Sequence, residues 1–270
     1  MNREFPEGRD GAENQPVRAS DPVAGGKVPH LKLPLTEKLP EVFFLPGDAS
    51  RLRLFEEEAD SFERIGDNRE YALAKGSFRG KSFGVCSTGM GGGSAEICIV
   101  ELARLGVTTM IRTGGCGALQ PEIESGSFII NSGAVRWGGS SNFYVPPEFP
   151  AVADPFLAVS LAQSCEKLGL KYSVGIGATI NSYYEGQGRV SAPGRRPRWG
   201  EEQIARLTES GVLSIDMETE TLFTIGYLLK VKTANILAVH GNRATDHWLV
   251  DYEPAQRSLV KAALETLDAV

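Results

Sequence analysis

The chain has 270 residues, 41% of them hydrophobic and 23% charged, with a formal net charge of −6. That length allows one large core, and the composition is ordinary for a globular protein in water. The acidic balance argues against a nucleic-acid surface, which needs basic stripes, and no apolar run approaches the roughly 20 residues that cross a bilayer.

Residues 1–27 are rich in Gly, Pro, Asn and charge, and are expected to form a disordered leader ahead of a single domain over 28–270. The leader lacks the apolar stretch of a secretion signal. Residues 41–45 predict a strand ending at Pro46-Gly47-Asp48, with Arg51 a few positions on. Gly76 to Ser82 resembles a P-loop, but it is one residue short and precedes a strand where a P-loop needs a helix. Residues 82–87 predict a strand leading into Gly89-Met90-Gly91-Gly92-Gly93, which lacks the GxGxxG spacing of a dinucleotide site. Ser94 is expected to cap a helix to 105, with Ile97, Val100 and Ala103 on one face.

Residues 108–112 read as a buried strand that ends in a second glycine cluster, Gly114-Gly115-Cys116-Gly117. Arg112 sits at that end. An arginine there is almost never buried unless paired, so an internal salt bridge is the plain expectation; glycine-lined strand ends with free N–H groups add an anion site. Further strands are predicted at 128–135, 172–180 and 233–239, and helices at 155–168, 201–209, 217–229 and 254–267. This alternation predicts an α/β fold, a three-layer sandwich around a mixed sheet, with ligands at the carboxyl ends of strands.

Two polar segments interrupt the pattern. The loop Tyr183-Tyr184-Glu185-Gly186-Gln187-Gly188-Arg189 offers an amide with both donor and acceptor beside a guanidinium fork. Asp216-Met217-Glu218-Thr219-Glu220 opens an apolar helix. Acids in a first turn often serve only the helix dipole, but a carboxylate at a strand-to-helix junction also reaches a ligand's hydroxyls. Cys86, Cys98, Cys116 and Cys165 form no CxxC pair, and His30, His240 and His247 no HExxH spacing. Reduced thiols in the cytoplasm and no zinc site are therefore expected. No GxSxG elbow supports a serine hydrolase.

The motifs Val28-Pro29-His30-Leu31, Leu45-Pro46-Gly47-Asp48, Asn68-Arg69-Glu70, Cys86-Ser87-Thr88-Gly89-Met90-Gly91-Gly92, Ile111-Arg112-Thr113-Gly114, Gly186-Gln187-Gly188-Arg189, Asp216-Met217-Glu218 and Asn242-Arg243 occur in one order. Together they resemble the uridine phosphorylase branch of the nucleoside phosphorylase-I family. That resemblance implies a pentosyltransferase acting on a pyrimidine nucleoside, with inorganic phosphate as co-substrate and no organic cofactor. It implies that Gly47, Arg51, Arg112 and the backbone at Gly115 hold phosphate, and that Arg69 joins them from a partner subunit. Met217 and Glu218 would hold the ribose, with His30 reaching its 5′-hydroxyl from the partner. Tyr183, Gln187, Arg189, Arg243 and His240 would surround the base. Glu70 and Ser94 match a monovalent-cation (K⁺) site of some relatives, and the assembly implied is a hexamer of three dimers with shared sites.

The sequence departs from the family pattern at three positions. Gly115 stands where a hydroxyl residue is usual, Asp216 where Glu is common, and His240 where an apolar residue is usual. The first change leaves open a nucleosidase of the same fold, the third a different base, purines included. A catalytically silent nucleoside-binding protein is disfavoured by the joint presence of Glu218, Gln187 and Arg189.

Overall fold

Phe43 and Phe44 are neighbours in the chain and both are fully buried, yet they belong to different cores. Strand side chains alternate between faces, so a strand apolar at every position must be covered on both sides. That strand is β1 (Val42–Leu45). The computed structural model describes residues 17–269.

The other strands are β2 (Ser61–Asn68), β3 (Tyr71–Phe78), β4 (Lys81–Cys86), β5 (Thr109–Ala118), β6 (Phe128–Trp137), β7 (Ala151–Val152), β8 (Tyr172–Ile180), β9 (Ser214–Asp216), β10 (Lys232–Asn242) and β11 (His247–Trp248). They make one sheet in the order β11-β10-β6-β8-β9-β5-β1-β4-β3-β2, with β7 added to β6. β10 also pairs in parallel along β5, so β5, β10, β6, β8 and β9 close into a ring. The sheet is mixed: β1 runs parallel to β4 and β5, while β2, β3 and β4 form an antiparallel meander.

One face packs Phe44, Ile111 and Ile236 against α1 (Leu52–Glu58), α3 (Pro155–Lys167) and α6 (Glu253–Glu265). The other packs Phe43, Leu73 and Met110 against α2 (Gly92–Arg104) and α5 (Thr219–Leu228). α4 (Arg198–Glu209) covers a smaller cluster through Leu207 and Ile204. The result is the α/β/α sandwich that the alternation implies. No helix among the described residues is long and apolar enough to cross a membrane.

Several boundaries differ from the sequence reading. β5 does not stop at Arg112; it runs through the glycine cluster to Ala118, because β10 pairs with it over that whole length. Arg112 therefore sits inside a strand. α2 starts at Gly92, with Gly91 at φ 90° in the capping position, and the Ser94 hydroxyl instead lies within hydrogen-bonding reach of the Glu70 carboxylate and the Thr88 carbonyl, to one of which it donates. The acidic segment enters its helix only at Thr219, leaving Met217 and Glu218 outside it. α1, β2 and β3 carry no prediction; β2 is largely exposed and polar, so its apolar alternation is faint. Of the expected leader, residues 1–16 lie outside the described residues. Residues 17–27 form turns rather than a featureless tail: Arg18 bridges Asp21, Ala24 bridges Lys27 and Lys27 bridges Pro34. Positive φ at Gly25 and Gly26 closes the second turn, and the Asp21 carboxylate pairs with Arg104 of α2 at 2.9 Å.

Candidate active site

The carboxyl ends of β1, β4, β8 and β9 converge with the last residues of β10 on a cavity of about 660 Å³. Such strand ends are where open α/β sheets bind ligands. Gly47, Arg51, Arg112, Gly115, Met217, Glu218, Tyr183, Gln187, Arg189 and His240 all line it.

Arg112 is the most constrained of them. It is 5% exposed. Its Nε donates to Asp216 Oδ2 at 3.0 Å, and its NH2 pairs with Glu218 Oε2. NH1 is buried with no hydrogen-bond partner. Burial opposes the charge on Arg112, but Glu218 and Asp216 outweigh it and raise the pKa. The guanidinium can take this place because residue 114 has no side chain; a Cβ there would lie 2.8 Å from Arg112 Cζ. The salt bridge expected of a buried arginine is present, and it uses only part of the donor fork.

Asp216 lines the cavity and orients this arginine. Its Oδ1 accepts from the Thr179 hydroxyl at 2.7 Å, and its Oδ2 from the Thr219 hydroxyl at 2.6 Å and the Thr219 amide at 3.1 Å. Aspartate is long enough for this, so the missing methylene costs no contact to Arg112. The sequence marks Asp216 as a departure from the family pattern but gives no sign of its part in fixing Arg112. The buried Thr179 and Asn235 behind it carry no sequence signal.

Arg51 follows β1 in the 3₁₀ turn Ala49–Arg51, which Asp48 caps by accepting from the Ser50 amide at 2.8 Å. No ion pair or side-chain hydrogen bond engages Arg51 among the described residues. Burial and the nearby Arg112 charge both lower its pKa. Two cations thus face one space, and the two carboxylates are committed to one of them.

Glu218 pairs with Arg112, and its charge also reaches Arg51. Its Oε1 accepts from the Gly91 amide at 2.6 Å. Burial raises its pKa against the pull of Arg112. At the other end, Gln187 Nε2 donates to the Ile180 carbonyl at 2.8 Å, and Gln187 Oε1 accepts from Arg189. Arg189 lies 4.0 Å over the Tyr183 ring. Arg243 stands behind, donating to the Gly188 carbonyl at 3.0 Å. The amide retains one N–H and one lone pair for a ligand.

His240 also lines the cavity. It is the extra residue of a β-bulge: Val239 pairs with Cys116 and Gly241 with Gly117. Bulges re-aim a side chain, and this one lays the imidazole across Gly115, where a Cβ would lie 2.3 Å from Cε1. The ring stacks on Tyr252 at 4.4 Å. Its charged neighbours are Arg51 and Arg112, which together with burial lower its pKa to about 4.

Arg69 and His30 do not line the cavity of their own chain. Arg69 is exposed in the β2–β3 turn at φ 57°. His30 is held by Glu101, whose Oε1 lies 2.7 Å from its Nδ1. Glu70 and Ser94 line the rim, joined at 2.8 Å. Cys86, Cys98, Cys116 and Cys165 are free and buried.

The Phosphorylase superfamily pattern matches residues 41–270. The chain belongs to the phosphorylase superfamily. Among this member's relatives, a uridine phosphorylase of Thermococcus kodakarensis is 39% identical over 204 residues, 76% of this chain and 74% of that one. A guanosine phosphorylase of Halorubrum lacusprofundi is 31% identical over 218 residues, 80% and 84% of the two chains. Among solved structures, uridine phosphorylase from Vibrio fischeri ES114 superposes with a TM-score of 0.79 at 29% identity, covering 91% of this chain and 98% of that one.

The environment of His240 sets a pH dependence. Arg51 faces it from the turn after β1, Arg112 from β5, Tyr252 from the entry to α6 and the neutral Gln256 from α6 itself. Folded, His240 stays neutral down to about pH 4; unfolded, it takes a proton below about 6.5. The unfolded chain then binds more protons in that window, so stability falls as pH drops from about 6.5 to about 4. The expected loss from this residue is about 2–3 kcal/mol, given a depression from 6.5 to about 4. Denaturant titrations at stepped pH should show this fall in the wild type and a shallower one in His240→Phe; equal slopes would show that His240 titrates normally.

Proposed function

We propose that this enzyme cleaves uridine by phosphorolysis, releasing uracil and ribose 1-phosphate, as part of pyrimidine nucleoside salvage. The observation that carries this reading is the unpartnered NH1 of Arg112, buried beside the uncommitted Arg51. A buried donor left unpaired costs about 1–3 kcal/mol. Phosphate relieves that cost and gives Arg51 the anionic partner that it lacks among the described residues. Each charge-assisted hydrogen bond it gains contributes about 1.5–3 kcal/mol. Gly47 at the end of β1 adds a backbone N–H.

The reaction then follows from two grips on one substrate. Gln187 accepts from uracil N3–H and donates to O2, while Arg189 donates to O4. The C1′–N1 bond breaks with its electron pair going to the base, and a phosphate oxygen forms the new bond to C1′ from the opposite face. Phosphate offsets the positive charge on the ribose; Gln187 and Arg189 offset the negative charge spreading over uracil. Glu218 holds the ribose hydroxyls and Met217 packs on the sugar. The catalytic power is positioning and preorganised charge, with no covalent enzyme intermediate, metal or organic cofactor. Cytosine lacks the N3 proton and carries an amino group at position 4, so the same pair rejects it.

The exposed Arg69 and the Glu101-braced His30 support a shared site, in which each reaches the cavity of a second subunit. The smallest active unit is then a dimer, and the resemblance extends this to a hexamer of three dimers. Buried, unpaired thiols support a reducing cytoplasm. A K⁺ at Glu70 and Ser94 is carried by the resemblance alone.

Two measurements test the reading. Base release from uridine should require phosphate; release at the same rate in phosphate-free buffer would identify a nucleosidase instead. Arg112→Ala should raise the phosphate concentration for half-maximal rate at least tenfold, and an unchanged value would remove Arg112 from the site.

Base reading has its own test. Gln187→Ala should depress kcat/KM for uridine far more than for inosine or guanosine. An equal loss on both would show that Gln187 does not select the base.

A further inference from the structure

Gly115 and His240 occupy one space between them. A Cβ at residue 115 would stand 2.6 Å from His240 Nδ1 and 2.9 Å from its Nε2. The imidazole therefore fills the position that a side chain at 115 would hold, and the bulge in β10 puts it there. Tyr252 fixes the plane of the ring by stacking on it.

Gln256 fixes the tautomer. Its side chain is buried, and its Nε2 lies 2.7 Å from His240 Nε2 and 3.4 Å from the Gly114 carbonyl. The carbonyl is an acceptor only, so the amide must present its N–H₂ to that side. His240 Nε2 is then an acceptor, and the ring proton sits on Nδ1. Nδ1 has no partner in the protein among the described residues. It borders the cavity at Gly115, with Arg51 and Arg112 as its charged neighbours.

We propose that His240 is a further ligand for phosphate, a neutral imidazole whose Nδ1–H, aimed by Gln256 and by the bulge, donates to the oxyanion held by Arg51 and Arg112. Gly115 is the condition for this: only a residue without a side chain leaves room for the ring. The two positions act as one device, and His240 selects for the co-substrate rather than for the base. A neutral donor adds a hydrogen bond without a third positive charge, so the two arginines pay no further repulsion. Burial keeps the ring in this form through the ordinary range of pH. The inference rests on the phosphorolysis reading.

Steady-state kinetics on the full-length enzyme test it, with phosphate varied at saturating uridine and uridine varied at saturating phosphate. His240→Phe keeps the stacking on Tyr252 and removes the N–H. It should raise the KM for phosphate at least tenfold and leave the KM for uridine within twofold. Gly115→Ser alone collides with the ring and should lose phosphate affinity or stability. Gly115→Ser combined with His240→Ala puts a hydroxyl donor into the vacated space and should return the phosphate KM to within about threefold of wild type. A phosphate KM unchanged in His240→Phe overturns the assignment, as does a rise confined to uridine or equal for both substrates. A double variant no better than Gly115→Ser alone also overturns it. Wild-type turnover without phosphate would instead overturn the parent reading, which keeps the two failures distinct.

Discussion

Arg112 is a buried cation tied at two corners and open at the third. Asp216 and Glu218 hold Nε and NH2, and NH1 has no partner among the described residues. A buried guanidinium without carboxylates would be strongly destabilising, and one with every N–H satisfied would bind nothing. Much of the surrounding architecture serves this compromise. β9 ends on the aspartate, and α5 begins beyond the glutamate. Gly114 clears the space in which the guanidinium lies. The carboxylates set its orientation, and the open corner, with Arg51 beside it, sets what the cavity accepts.

The closure of β5 against β10 gives the site its second feature. A strand pair this long carries the glycine cluster inside the sheet, where a loop would have left it mobile. A single extra residue in β10 then rotates His240 over Gly115. Gln187 and Arg189 form a polar pair of their own in the loop after β8. In the proposed reading the arginine end takes the anion, the Gln187–Arg189 pair takes a base edge, and Glu218 takes the ribose hydroxyls.

The layered fold was legible because its signals are strong and local. Apolar strands such as 41–45 and 172–180 and the helix opening at Pro155 carry clear periodicity, and α3 begins at that proline. The β2–β3 hairpin was not legible, since an exposed edge leaves little alternation to read. The course of β5 through Gly114 to Gly117 was hidden as well: glycines read as a turn, and only the partner strand decides otherwise. At the site, Arg51, Arg112, Glu218, Gln187 and Arg189 were named from residue type and motif, and one cavity gathers them. Sequence order carries no mark of the bulge that lays the His240 ring over Gly115. Asp216 and Gln256 act through other residues, and a contact between side chains 104 or 16 positions apart leaves no local mark in the sequence.

The central claim is that Arg51 and Arg112 grip one oxyanion. A crystal structure at saturating phosphate, with uracil or an unreactive uridine analogue bound, tests it most directly. The account predicts phosphate density within hydrogen-bonding distance of Arg112 NH1 and the Arg51 guanidinium, on the far side of Glu218 from Gln187. An occupied nucleoside pocket with the anion bound elsewhere, or with Arg51 turned out to solvent, would contradict it.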